Sequence, residues 1–264
     1  MSESRIARFT PESLTRSPGG VITVETTLRH FAILSYAVDP AALSRHLPAR
    51  FAPDTVRLDE GERALISVVP FYDLDFRLSW LPYPRFAFGQ TNYRAYVIDR
   101  ETGQRCVWFF GTCLGSWTVA IPRYLWRLPW HGGRFSFDCA WSEEERRYTR
   151  YALETRSDWS PTKLAFEDSG RPPEALAGFP DLETALVVLT HPLTGYYIRR
   201  DGRLGSYSIW HDRLELSTAR CVHARIPLLE KLGLVTLERQ AAPHSVLIQH
   251  ETDFTIYLPP RPVP

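Results

Sequence analysis

In the run Gln90-Thr91-Asn92-Tyr93-Arg94, two amides and a guanidinium recur at every second position. Alternate residues of a β-strand share a face, so Gln90, Asn92 and Arg94 point the same way. Turned inward, they require a polar cavity, because an unpaired polar group in an apolar core is costly. Turned outward, they are simply the solvent side of a sheet. Acid–base chemistry has two candidates, His131 and His211, since an imidazole titrates near neutrality. Each has a plainer reading: His131 is a loop residue before Gly132-Gly133, and His211 directly follows a strand. Trp130 reads as a pocket wall or a core residue, and Arg123 faces either a cavity or solvent. Tyr72-Asp73-Leu74-Asp75 reads as a solvated acidic loop.

Other chemistries lack their residues. The chain has only two lysines, Lys163 and Lys231, in segments that read as loop and surface helix. There is no G-x-S-x-G elbow, no phosphate-binding Walker loop, no G-x-G-x-x-G and no H-E-x-x-H. The eight histidines have no paired metal-ligand spacing, so no metal site and no cofactor are expected. Cys106, Cys113, Cys139 and Cys221 form no C-x-x-C pair and read as core residues of a reducing compartment. A Ser-His-Asp triad stays open, because its partners can lie anywhere in a chain.

The elements that must position these residues are mainly strands. Val21–Thr26 and His30–Ala37 are β-branched or apolar runs, and Ala64–Phe71 is apolar enough to be buried on both faces. Phe86–Ile98 and Cys106–Thr112 form a hairpin, as do Phe135–Trp141 with Arg147–Thr155, and Tyr196–Arg199 with Leu204–Ile209 around Asp201-Gly202. Leu214–Ala224 and Val246–Tyr257 complete the strands. Helices are expected after the cap Asp39 with Pro40 at its first position, within Ser116–Leu128, over Asp181–Thr190, and over Pro227–Leu232 before Gly233. Residues 156–180 read as a long loop. The expected organisation is a flexible arm over 1–20, one domain over 21–258, and a proline-rich tail over 259–264.

Composition narrows the partners. The net charge is +1 with both signs interspersed, so neither nucleic acid nor an anionic membrane is an expected partner. No apolar run reaches the length of a membrane-spanning helix, and Met1–Thr10 has no apolar signal-peptide core. A cytoplasmic location is expected, and a homo-oligomer stays open.

The stretch from Arg29 through Tyr36, Asp39-Pro40-Ala41-Ala42-Leu43 and Leu47-Pro48 resembles the acetoacetate decarboxylase superfamily. Val69-Pro70-Phe71, Asn92–Val97, Val107–Phe110 and Tyr124–Pro129 resemble, more closely, the bacterial domain-of-unknown-function 2071 family within it. The likeness covers roughly residues 28–135 and is looser around Tyr196–Arg213. It implies a mainly β, mostly antiparallel cone or barrel-like structure with a few short peripheral helices around a small pocket. It also implies that Arg29 holds a substrate carboxylate; the alternative for Arg29 is a surface ion pair at a strand end.

The decarboxylase forms a Schiff base on one lysine, whose pKa a second lysine depresses. Here the matching positions are Trp130 and His131, and the pocket glutamate falls at Gln90, so decarboxylation by that route is not expected. The expected function is a small-molecule pocket protein for an organic acid or carbonyl compound. It is an enzyme working by acid–base chemistry, or a non-catalytic ligand-binding module, or a structural or interaction protein with a Trp-rich contact surface. The expected site comprises His131 and His211 as acid–base groups, with Arg29, Gln90, Asn92, Arg94, Arg123 and Trp130 binding the ligand.

Overall fold

The computed structural model of the chain describes residues 6–16, 22–116, 123–124 and 127–263. Strands dominate them: β1 (Ile22–Val38), β2 (Phe51–Pro53), β3 (Thr55–Leu58), β4 (Gly61–Leu78), β5 (Phe86–Asp99), β6 (Arg105–Leu114) and β7 (Trp130–Gly132) come first. They are followed by β8 (Arg134–Ser142), β9 (Arg147–Arg156), β10 (Thr162–Asp168), β11 (Thr194–Ile198), β12 (Leu204–His211), β13 (Ser217–Arg225) and β14 (Ser245–Pro262). The helices α1 (Pro11–Leu14), α2 (Pro40–Ser44), α3 (Leu182–Thr190) and α4 (Pro227–Lys231) are short.

Hydrogen-bonded pairing runs β1–β4–β5–β6, steps in parallel to β11, continues β11–β12–β14, and returns from β14 to β1. Seven strands therefore close a circuit. β14 is long enough to serve two sheets: Leu247 and Ile248 also pair with β13, from which β10, β9 and β8 follow. This second sheet covers the outer wall of the circuit. Gly89 makes the close approach feasible, since a Cβ there would stand 2.5 Å from the Phe135 ring.

Two apolar cores follow from this layering. Leu34, Ile66, Val68 and Tyr93 pack outward against Tyr151, Leu153 and Phe166 of the second sheet. Phe31, Ile33, Leu65, Tyr96 and Leu247 pack inside the circuit with Leu186 and Leu189 of α3. The two apolar runs expected near the N-terminus are one strand, β1, interrupted at His30, whose φ of 55° breaks the alternation. Leu28 and Phe31 consequently both face inward, although three positions apart.

Most expected elements form near their expected bounds, and the caps are as read: Asp39 accepts from the amides of Ala41 and Ala42, and Asp181 from Thr184. Three segments differ. The expected loop over 156–180 contains β10, an alternating TKLAFED run that follows Pro161. β14 continues to Pro262, through the segment expected to be a tail. Residues 6–16 are bound to α3 by the Arg8–Asp181 ion pair and by the Ala7 amide donating to Thr184, rather than lying loose. The expected helix over Ser116–Leu128 falls largely outside the described residues.

Candidate functional site

Side chains fill the circuit only in part, and a cavity of about 300 Å³ remains. On β5, the alternate residues Phe86, Phe88, Gln90, Asn92 and Arg94 all line it, so the inward orientation of the polar face is the one adopted. The polar groups sit at one end of this row and the phenylalanines at the other. Facing strands add mostly apolar surface, including Phe31, Phe71, Phe109, Phe254 and Trp130.

Arg94 is 8% exposed, and no carboxylate pairs with it among the described residues. Its Nε donates to Ser67 Oγ at 3.1 Å and its Nη2 to the Leu189 carbonyl at 3.1 Å. That carbonyl belongs to the last turn of α3, where the helix dipole is negative and partly offsets the charge. Tyr96 completes the support: its hydroxyl donates to the Leu189 carbonyl and can accept from Ser67 Oγ. Nη1 donates to no acceptor among the described residues.

Beside it, Asn92 Oδ1 accepts from Gln90 Nε2 at 3.0 Å and from Thr112 Oγ1 at 2.8 Å. This bonding assigns the Asn92 amide orientation and leaves its Nδ2 donor and Gln90 Oε1 without partners among the described residues. Tyr207 also lines this end; burial raises its phenol pKa, and the nearby Arg94 charge opposes that rise. It therefore remains a neutral hydroxyl. A guanidinium donor, an amide donor and a phenol thus face one apolar-walled space. That arrangement can hold a carboxylate or a carbonyl oxygen.

The remaining sequence candidates lie elsewhere. Arg29 is on the outer side of β1, next to His30, and forms an ion pair with Glu251, its neighbour across β14. It does not share a site with the Gln90–Arg94 row, because the cavity takes Leu28 and Phe31 from this strand. His131 faces away from the cavity that Trp130 lines, and its ring stacks on Trp159 with centroids 4.1 Å apart. Burial, with Arg123 and Arg200 nearby, lowers its pKa to about 4.

His211 is 1% exposed, and both ring nitrogens meet backbone carbonyls, those of Asp212 at 2.7 Å and Thr190 at 2.9 Å. Burial pushes its pKa down to about 4 against the pull of those carbonyls. It is a fixed strut behind the cavity wall. Arg123 donates to the Trp130 carbonyl at 3.2 Å and thereby supports the wall. Lys163 pairs with Glu154 at 3.5 Å and Lys231 is exposed on α4, so neither lysine reaches the cavity.

Asp73 was not among the expected site residues and corrects the reading of its segment as a solvated loop. It lies on β4, is 2% exposed and lines the cavity. Burial raises its pKa to about 8. The hydrogen bonding agrees. Thr26 Oγ1 lies 3.0 Å from both Asp73 Oδ1 and the Leu74 carbonyl, yet has one hydrogen to give. A protonated Asp73 resolves this by donating to Thr26, which then donates to Leu74. Oδ2 has no partner among the described residues. Its sequence signal was the alternation Val69, Phe71, Asp73, which carries the inward face of β4 one step further than the apolar run.

Solved structures identify the fold class. The chain is similar to an acetoacetate decarboxylase from Legionella pneumophila, with 14% identity, a TM-score of 0.57, and 95% of this chain and 90% of that chain covered. It is similar to an acetoacetate decarboxylase-like enzyme from Sphingomonas wittichii, with 11% identity, a TM-score of 0.57, and 97% and 96% covered. It is also similar to the enduracididine biosynthesis enzyme MppR complexed with pyruvate, with 12% identity, a TM-score of 0.54, and 96% and 94% covered. The fold is therefore acetoacetate decarboxylase-like. Within it, the chain belongs to the domain-of-unknown-function 2071 family of uncharacterized conserved proteins, whose profile matches residues 25–253. No curated protein matches the chain.

Proposed function

We propose that this protein binds a small organic acid or carbonyl compound in the cavity, with the ligand oxygen held by Arg94 and Asn92 and reached by Tyr207. The observation that carries this reading is the buried Arg94, which has a free Nη1 and no carboxylate partner among the described residues. A cation kept in an apolar interior without a counter-ion is costly, and an anionic ligand removes that cost. The complex of MppR with pyruvate is consistent with a keto-acid-sized guest in this fold.

Binding without turnover is favoured over acid–base catalysis on a short acid. Among the described residues, no histidine lines the cavity and its only carboxyl group is Asp73. Across the β4–β5 ladder Arg94 stands opposite Ser67 and Asp73 opposite Phe88, six residues further along each strand. At ~3.3 Å per residue that is about 20 Å of strand, too far for both groups to touch one three-carbon acid.

The test is a calorimetric titration of wild type and Arg94→Gln with a panel of carboxylates. Removing a charged hydrogen bond is worth about 1.5–3 kcal/mol, so the variant should bind roughly ten- to a hundredfold more weakly. Equal affinity in the two proteins would remove Arg94 from the site.

A further inference from the structure

The cavity has one polar end and a long apolar remainder, and this asymmetry bears on the ligand's body as well as its head. Resting on the reading that Arg94 holds a carboxylate, we infer that the physiological ligand class is an amphipathic monocarboxylate of about ten non-hydrogen atoms. Its alkyl or aryl chain runs from Arg94 past Asn92 and Gln90 towards Phe88.

Three observations carry this. The first is size. At about 30 Å³ per water-sized group, a cavity of about 300 Å³ takes on the order of ten such groups. A three-carbon keto acid would leave much of it empty, and an apolar void has no contacts on one side.

The second is the wall. Beyond Gln90 the β5 row continues as Phe88 and Phe86, and the opposing strands offer Phe71, Leu28 and Ile256. These surfaces gain from covering methylene or aryl groups and gain nothing from a second polar head. At the β4–β5 turn the lining passes to Leu81, Tyr83 and Pro84, and Tyr83 is 71% exposed. The apolar path therefore reaches the surface, which gives a hydrophobic tail a way in.

The third is charge. Arg77 also lines the cavity, but it is occupied by Glu25 at 3.0 Å and Asp75 at 3.5 Å. Towards this end the remaining acidic or basic side chain among the described residues, phenols aside, is Asp73, a carboxyl with an unpartnered oxygen. The far carboxylate of an eight-carbon dicarboxylate would stop short of that end, against the apolar wall beyond Gln90, where no free cation lines the cavity among the described residues. The cavity should therefore accept monocarboxylates and reject dicarboxylates of the same length.

The experiment is a calorimetric titration of the full chain at neutral pH with acetate, butyrate, hexanoate and octanoate, and with octanedioate. Burying each added methylene should tighten binding about fourfold. Octanedioate should bind at least tenfold more weakly than octanoate. Phe71→Leu, opposite Gln90 across the β4–β5 ladder, should weaken octanoate severalfold and leave acetate unchanged.

Acetate binding as tightly as octanoate, or octanedioate matching octanoate, would overturn the inference while leaving the Arg94 carboxylate site standing. If no carboxylate binds, or if Arg94→Gln changes none of the affinities, the underlying reading fails with it.

Discussion

Asp73→Asn isolates the most perturbed group in the cavity. The Asp73 pKa of about 8 compares with an ordinary value of 3.8. Folding therefore raises it, and between those values the folded chain holds a proton that the unfolded chain has released. By linkage, stability falls as pH rises through that window. The penalty is absent below about pH 4 and complete above about pH 8. At about 1.4 kcal/mol per pH unit over about four units, it totals on the order of 5 kcal/mol. Asparagine keeps the shape and its amide can still donate to Thr26, but it cannot ionise.

Urea unfolding of wild type and Asp73→Asn, measured from pH 5 to pH 9, reads this directly. The variant should gain stability relative to wild type by about 1.4 kcal/mol per unit up to pH 8, and the difference should then level off. Comparing the two proteins cancels every other titrating group. A difference that stays flat across the range would show that Asp73 is already ionised in the folded protein. It would also refute the proton assignment drawn from Thr26.

Three further outcomes follow. Arg29→Ala should leave carboxylate affinity unchanged and cost less than about 1 kcal/mol of stability, because its partner Glu251 forms an exposed pair with it; calorimetry and denaturant unfolding of the variant check both parts. Borohydride treatment with acetoacetate should give no covalent adduct by mass spectrometry, since Lys163 and Lys231 lie outside the cavity; an adduct on either would relocate the site. Gly195→Ala would place a Cβ 2.3 Å from the Phe109 ring at the cavity wall, so it should destabilise the protein by about 1–3 kcal/mol in thermal unfolding.

The strands were legible because their signals are local. Asp39-Pro40 caps a helix, Asp201-Gly202 turns a hairpin, and β4 is buried on both faces over Ala64–Phe71. The Gln90–Asn92–Arg94 face was legible as a face, but its direction was not. Period two says which residues share a side, whereas burial of that side depends on β1, β6 and β14 closing around it.

Arg29 and His131 show the limit most clearly. Arg29 lies one residue from the inward Leu28, and His131 one residue from the inward Trp130. A single step in a strand reverses the side chain, and the break at His30 shifts the phase once more. Asp73 was missed for the opposite reason. A carboxylate between Tyr72 and Leu74 normally marks solvent, and only the assembled cavity shows that this one is buried.

The central claim is that an anionic head sits against Arg94 inside the circuit of strands. A crystal structure of the octanoate complex tests it most directly. The carboxylate should lie roughly 2.7–2.9 Å from Arg94 Nη1, with the chain extending past Gln90 towards Phe88. A carboxylate found instead at Arg77 near the mouth, or on the outer face beside Arg29, would contradict the account.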